Sequence, residues 1–171
     1  LSLCPFTALA GPPADVVKRL EDSFYPVVKV TEEKDGYSVA FCPVVSVTIR
    51  ITDSLDHKPA EVQVKMYLPR REQSRDRAIV LLPSTGGENM LDRGYANELC
   101  GAGFRVALLQ GWTHQTQNKL ELAVHDENAV RALAAIRHVV NYLSPTRATQ
   151  VGIMGTSIGA ISSALALGFE P

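Results

Sequence analysis

Between Ala78 and Met154 the chain repeats one texture, a short apolar run, then a helical segment, then another apolar run. The runs are Ala78 to Leu82, Phe104 to Leu109 and Gln150 to Met154, and the segments between them, Leu91 to Cys100 and about Asp126 to Leu143, read as helices. A strand with one face in solvent alternates polar and apolar residues; a strand covered on both faces need not. Apolar runs joined by helices therefore predict parallel strands in a sheet flanked by helices, the α/β class. In the second helix Leu133, Ile136, Val140 and Leu143 fall on one face, which is the side expected to pack.

Upstream, the pattern is different. Val45, Val47, Ile49 and Ile51 alternate with Ser46, Thr48, Arg50 and Thr52. After Asp53 to Pro59 the same period resumes in Val62, Val64, Met66 and Leu68. These two segments predict an antiparallel strand pair with one buried face, leading into the parallel section. Residues 1–43 read as an extension, with a short helix over Pro12 to Glu21. A hairpin of Val27 to Thr31 and Gly36 to Phe41 is expected to follow, turning at Glu32-Glu33-Lys34-Asp35. With no internal repeat or linker, residues 1–171 form a single expected domain.

Composition narrows the function classes. The 171 residues are 46% apolar and 20% charged, enough for a real core. The net charge is -1, and no basic stripe interleaved with aromatics occurs, so nucleic acid is not an expected partner. No run approaches the roughly 18 apolar residues of a membrane span. Cys4, Cys42 and Cys100 form neither a CxxC motif nor a dense disulfide framework, and Cys100 is expected in the core. The compartment stays open. Leu1-Ser2-Leu3-Cys4 loosely resembles a bacterial lipoprotein processing site, which would suit a periplasmic or secreted protein; an ordinary trimmed terminus fits as well.

Two turns depart from packing logic, both at the C-terminal ends of expected strands, where open α/β sheets hold their ligands. The first is Gly155-Thr156-Ser157-Ile158-Gly159, between an apolar strand and the small-residue helix Ile161 to Leu167. A serine hydroxyl must stand clear of the backbone to attack a carbonyl, and a tight strand-to-helix turn achieves this. Gly155 and Gly159 are expected because β-carbons would collide across such a turn. Ser157 is the candidate catalytic nucleophile, and the Ile158 N–H at the helix start is a candidate oxyanion donor. The alternative is a serine that merely caps the helix.

The second turn, Pro83-Ser84-Thr85-Gly86-Gly87-Glu88-Asn89, is polar and glycine-rich and opens a helix, so it too offers backbone N–H groups. It is a candidate for the second oxyanion donor. Ser84, Gly86, Trp112 and His114 are candidates for the pocket rim, the last two because Gln110-Gly111-Trp112-Thr113-His114 follows another central strand. His57 is expected in a turn, and His125 and His138 on a helix. Gly152, Gly155 and Gly159 do not make a GxGxxG nucleotide motif, no GK[ST] occurs, and neither a metal nor an organic cofactor is implied.

With these motifs in this order, the sequence resembles the α/β-hydrolase superfamily from about Val44 onward. Leu99 to Gln110 and Val139 to Gly159 are similar to dienelactone-hydrolase-like and peptidase-like esterases. The resemblance implies the N-terminal part of an α/β-hydrolase fold with its C-terminal strands missing. It implies a serine hydrolase acting on a small-molecule ester, less readily an amide, through an acyl-enzyme. In that family the loop after the third strand often reads His-Gly-X; the matching positions are Pro83-Ser84-Thr85, which makes Thr85 N–H the partner of Ile158 in the oxyanion hole.

Family order places the acid and then the base after the nucleophile. Beyond Gly159 the chain holds one acid, Glu170, and no histidine. Glu170, at the far end of the expected helix, is roughly 18 Å from Ser157. The acid and base are therefore expected outside this chain, which reads as a fragment, inactive alone. Its exposed sheet edge is expected to associate with the missing half or with a second copy. A different class also fits, a non-catalytic binding module that keeps the hydrolase architecture.

Overall fold

The expected antiparallel pair takes the second and third places of a six-stranded sheet in the computed structural model, which describes residues 18, 27, 29–37, 42–52, 58–70, 76–84, 87–110, 122–144 and 148–169. Strands β2 (Pro43–Thr52) and β3 (Pro59–Tyr67) pair antiparallel, with Val47 opposite Val64 and Ile49 opposite Val62. The period-2 pattern sets this register, because a one-residue slip would turn every one of these side chains to the other face.

The apolar runs become β4 (Arg77–Leu82), β5 (Arg105–Gln110) and β6 (Gln150–Gly155), joined by helices α1 (Met90–Gly101) and α2 (Leu122–Leu143). A last helix, α3 (Ile158–Phe169), follows β6. With β1 (Lys29–Tyr37) at one edge, the strand order is β1-β2-β3-β5-β4-β6. β4 pairs parallel with both β5 and β6, while β3 runs antiparallel to β5.

This order explains the layers. From β4 the chain crosses through α1 to β5 on one side, then back through α2 to β6 on the other. Right-handed crossovers in opposite directions put their helices on opposite faces of the sheet. Ala78, Val80 and Leu82 accordingly pack with Ala132, Ala135, Ile136 and Val139 of α2 and Ala166 of α3. Leu81, Val106 and Leu108 pack on the other face with Ala96 and Cys100 of α1. Covered on both sides, β4 and β5 have no solvent face to mark with polar residues, hence their apolar texture.

Three expectations change. The turn expected at Glu32 to Asp35 is not formed: Lys29–Tyr37 is one strand that runs through it and pairs with β2 from Lys29↔Arg50 to Tyr37↔Pro43, while residues 38–41 of the expected hairpin lie outside the described residues. The turn residues are instead the charges of an exposed edge strand, and Gly36, at φ 107°, absorbs a register shift as a bulge. The packed stripe of α2 is centred on Ala132, Ala135, Ile136, Val139 and Leu143, with Leu133 and Val140 at its margins. Small alanines let the helix lie close to the sheet, which a reading weighted to large side chains misses.

The third change concerns the cysteines. Cys100 is in the core, but as half of a disulfide with Cys42, across a sequence separation of 58. It staples Cys42, immediately before the start of β2, to the last turn of α1. The expected helix over Pro12 to Glu21 lies outside the described residues, apart from helical Lys18.

Candidate functional site

The site lies where the sheet's connection order reverses, at the C-terminal ends of β4 and β6. Because β4 and β6 are hydrogen-bonded neighbours, with Leu82 opposite Gly155, the two loops singled out in the sequence emerge side by side.

At the end of β6 the chain turns within Thr156 and Ser157 and enters α3 at Ile158. Ser157 has φ 52°; among the described residues no other non-glycine has a positive φ. Such backbone costs on the order of 1–3 kcal/mol and persists only where the surroundings impose it. Here they do. A β-carbon on Gly155 would fall on the carbonyl carbon and oxygen of Gly159. One on Gly159 would sit 2.5 Å from Leu82 O and 2.7 Å from Pro83 O. The α3 helix start is thus pressed against the end of β4, and only glycine fits at either contact. Thr156 N–H holds the turn to Leu82 O at 3.1 Å, Gly159 N–H closes onto Thr156 O at 2.9 Å, and Ala160 N–H onto Ser157 O at 2.9 Å. Ser157 itself is exposed at the top of the turn.

The facing loop runs from Pro83 to Asn89 and is anchored at several points. Asn89 caps α1, its Oδ1 accepting from Leu91 N–H at 2.8 Å and Asp92 N–H at 3.1 Å, while its Nδ2 donates to Ser84 Oγ at 2.7 Å. Gly87, at φ 93°, turns its N–H back onto Ser84 O at 3.1 Å. Glu88, largely buried, pairs with Lys65 of β3 at 2.9 Å and with Arg93 at 3.6 Å. The Ser157 turn is tied to this loop through the first turn of α1: Thr156 Oγ1 donates to Asp92 Oδ1 at 2.7 Å, and Asp92 Oδ2 accepts from Asn89 N–H at 3.1 Å.

The structure therefore brings Ser157, Ile158, Gly155, Gly159 and Ser84 together. Thr85, Gly86, Trp112 and His114 lie outside the described residues, as do Glu170 and His57. His125 and His138 are on α2, as expected; His138 is buried, and that burial, with Arg137 beside it, pushes its pKa down to about 4. Among the described residues no histidine hydrogen-bonds Ser157, no group of three His, Cys, Asp or Glu is placed to hold a metal ion, and no helix is long and apolar enough to cross a membrane. Sequence reasoning missed Asn89, Asp92 and Thr156. The Asn89-x-x-Asp92 spacing is a capping-box signal for α1, but nothing in it points to Thr156.

No protein-family model matches the chain. No curated protein matches it either. Solved structures do. A cold-adapted esterase from an Arctic intertidal metagenomic library, solved with bound PEG, superimposes with a TM-score of 0.56 at 16% identity, over 81% of this chain and 60% of that one. The glucuronoyl esterase from Solibacter usitatus gives 0.51 at 17%, over 91% and 55%. The architecture is that of a partial α/β-hydrolase fold. Both matched proteins are esterases, and this chain spans 60% and 55% of their length.

Proposed function

We propose that this chain supplies the nucleophile and oxyanion-hole portion of a serine ester hydrolase. The observation that carries the proposal is the left-handed backbone of Ser157, imposed by two glycines that have no room for a side chain. A helix cap requires neither feature, since capping serines adopt ordinary extended backbone.

In this reading Ser157 Oγ attacks the ester carbonyl carbon and its proton passes to a histidine supplied from outside the described residues. The carbonyl oxygen takes up negative charge between the N–H groups of Ile158 and Thr85. Collapse of the tetrahedral intermediate breaks the bond to the alcohol, which leaves with the proton from the histidine. Water, deprotonated by the same base, then attacks the acyl-enzyme and releases the acid. Ester cleavage is favoured over amide cleavage by the esterase identity of the similar structures. Gly86, Trp112 and His114 would line the pocket. Ser84, its hydroxyl engaged by Asn89, would shape the loop.

Two further parts of the reading have separate support. The Cys42–Cys100 disulfide favours an oxidising compartment, periplasmic or extracellular. The edge position of β6, beside exposed Ile161, Leu165 and Leu167 of α3, favours association on that side with the rest of the hydrolase fold or a second copy. The test of function is turnover of a short-chain p-nitrophenyl ester by the complete gene product. Loss of turnover in Ser157→Ala is expected; a variant as active as the parent would leave the binding-module reading in its place.

A further inference from the structure

We propose that Asp92 is a positioning residue whose carboxylate fixes the distance between the Ser157 turn and the facing loop. The inference rests on Ser157 being the nucleophile and adds what holds it in place.

Asp92 belongs to the first turn of α1 and its residue is 0% exposed. Among the described residues no lysine or arginine pairs with it. Burying a carboxylate without a cation is costly, and the helix N-terminus offsets only part of that cost. Capping α1 does not require it, because a capping box works equally well at the surface. The second bond supplies the reason. Oδ2 accepts from Asn89 N–H, and Oδ1 accepts from Thr156 Oγ1, 64 positions away in sequence.

Thr156 immediately precedes Ser157 and is clamped twice, by its backbone to Leu82 O and by its hydroxyl to Asp92. From Asp92 the chain of bonds continues through Asn89 to Ser84 Oγ, on the loop that would offer the Thr85 N–H. The two loops that would supply the oxyanion donors, Ile158 on one and Thr85 on the other, are thus tied through Thr156, Asp92, Asn89 and Ser84. The carboxylate has no part in the chemistry itself, since each oxygen is already engaged. Its contribution is a fixed separation between two groups that must meet one oxygen atom. Misplacement by about 1 Å can cost on the order of a hundredfold in rate. An aspartate suits the position because it accepts two hydrogen bonds through separate oxygens, which a neutral side chain of this size cannot do.

The test compares Thr156→Val, which keeps the shape but removes the hydroxyl, with Thr156→Ser, which keeps the hydroxyl, in the complete gene product with p-nitrophenyl acetate. Thr156→Val should lower kcat about tenfold or more while KM moves by less than about threefold, the pattern of an interaction realised in the transition state. Thr156→Ser should restore most of that loss. Asp92→Ala should lose as much as Thr156→Val, and the double variant should be no worse than Asp92→Ala alone, since both cut the same tie. If Asp92→Ala fails to fold, the Thr156 pair decides the matter. Thr156→Val turning over within about twofold of the parent, or losses that multiply in the double variant, would overturn the inference. Ser157→Ala separates the two levels: loss of turnover there with an unimpaired Thr156→Val sinks only the role of Asp92, whereas an active Ser157→Ala sinks both.

Discussion

Replacing Gly159 by alanine sets two well-measured effects against each other. Gly159 lies in the first turn of α3, and its φ is not in the left-handed region, so alanine is allowed there by backbone conformation. Helix propensity alone would favour alanine by about 0.5–1 kcal/mol. The added β-carbon, however, would lie 2.5 Å from Leu82 O, 2.7 Å from Pro83 O and 2.9 Å from Leu82 C. All three are backbone atoms of a buried strand end, and no flexible side chain can yield. Helix and strand must separate by about half an ångström to reach the 3.0 Å that real β-carbons respect. Overpacking of this kind costs roughly 1–3 kcal/mol, so sterics outweigh propensity and the net change is a loss of up to about 2.5 kcal/mol. Gly94, in α1, is the control: nothing lies within 4 Å of its β-carbon, so Gly94→Ala should gain about 0.5–1 kcal/mol. Urea denaturation midpoints of the two variants and the parent, at unchanged m, measure the contrast. Gly159→Ala at least as stable as Gly94→Ala would refute the close approach of α3 to β4.

Reduction of the Cys42–Cys100 disulfide, or the Cys42→Ala/Cys100→Ala pair, should cost about 4 kcal/mol through the 58-residue loop it closes, read as a lower denaturation midpoint; an unchanged midpoint would contradict the crosslink. His138 gives a pH signature. Its folded pKa of about 4 lies below the ordinary 6.5, so the unfolded chain binds the extra proton first. Stability from this group is complete above about pH 6.5 and falls as the pH drops toward 4, by up to about 3 kcal/mol. The denaturation midpoint of His138→Asn should therefore decline less between pH 7 and 4.5 than the parent's; parallel declines would contradict the burial.

What the sequence made legible was whatever rests on local pattern. The alternation through Val45–Ile51 and Val62–Leu68 announced the antiparallel pair β2 and β3 and its buried face, and apolar runs joined by helices announced β4, β5 and β6. The Ser157 turn was readable because steric necessity writes glycine at fixed offsets and the flanking strand and helix supply the context. The features that escaped join residues far apart. Cys42 and Cys100 occupy unremarkable positions before a strand and inside a helix, and spacing says nothing of their meeting. Asp92 reads as a cap residue, and only the folded sheet sets Thr156 beside it. β1 is hidden in the sequence for another reason: Glu32 to Gly36 has the chemistry of a turn, and pairing along most of β2 outweighs that local preference.

Ser157 is proposed as the nucleophile, held in a left-handed turn. Incubating the complete gene product with a fluorophosphonate and locating the adduct by peptide mass spectrometry puts that role to the test. One phosphonyl group on the peptide containing Ser157, absent from Ser157→Ala, is the predicted result. An adduct on a different residue, or none at all, would mean that Ser157 is not the nucleophile.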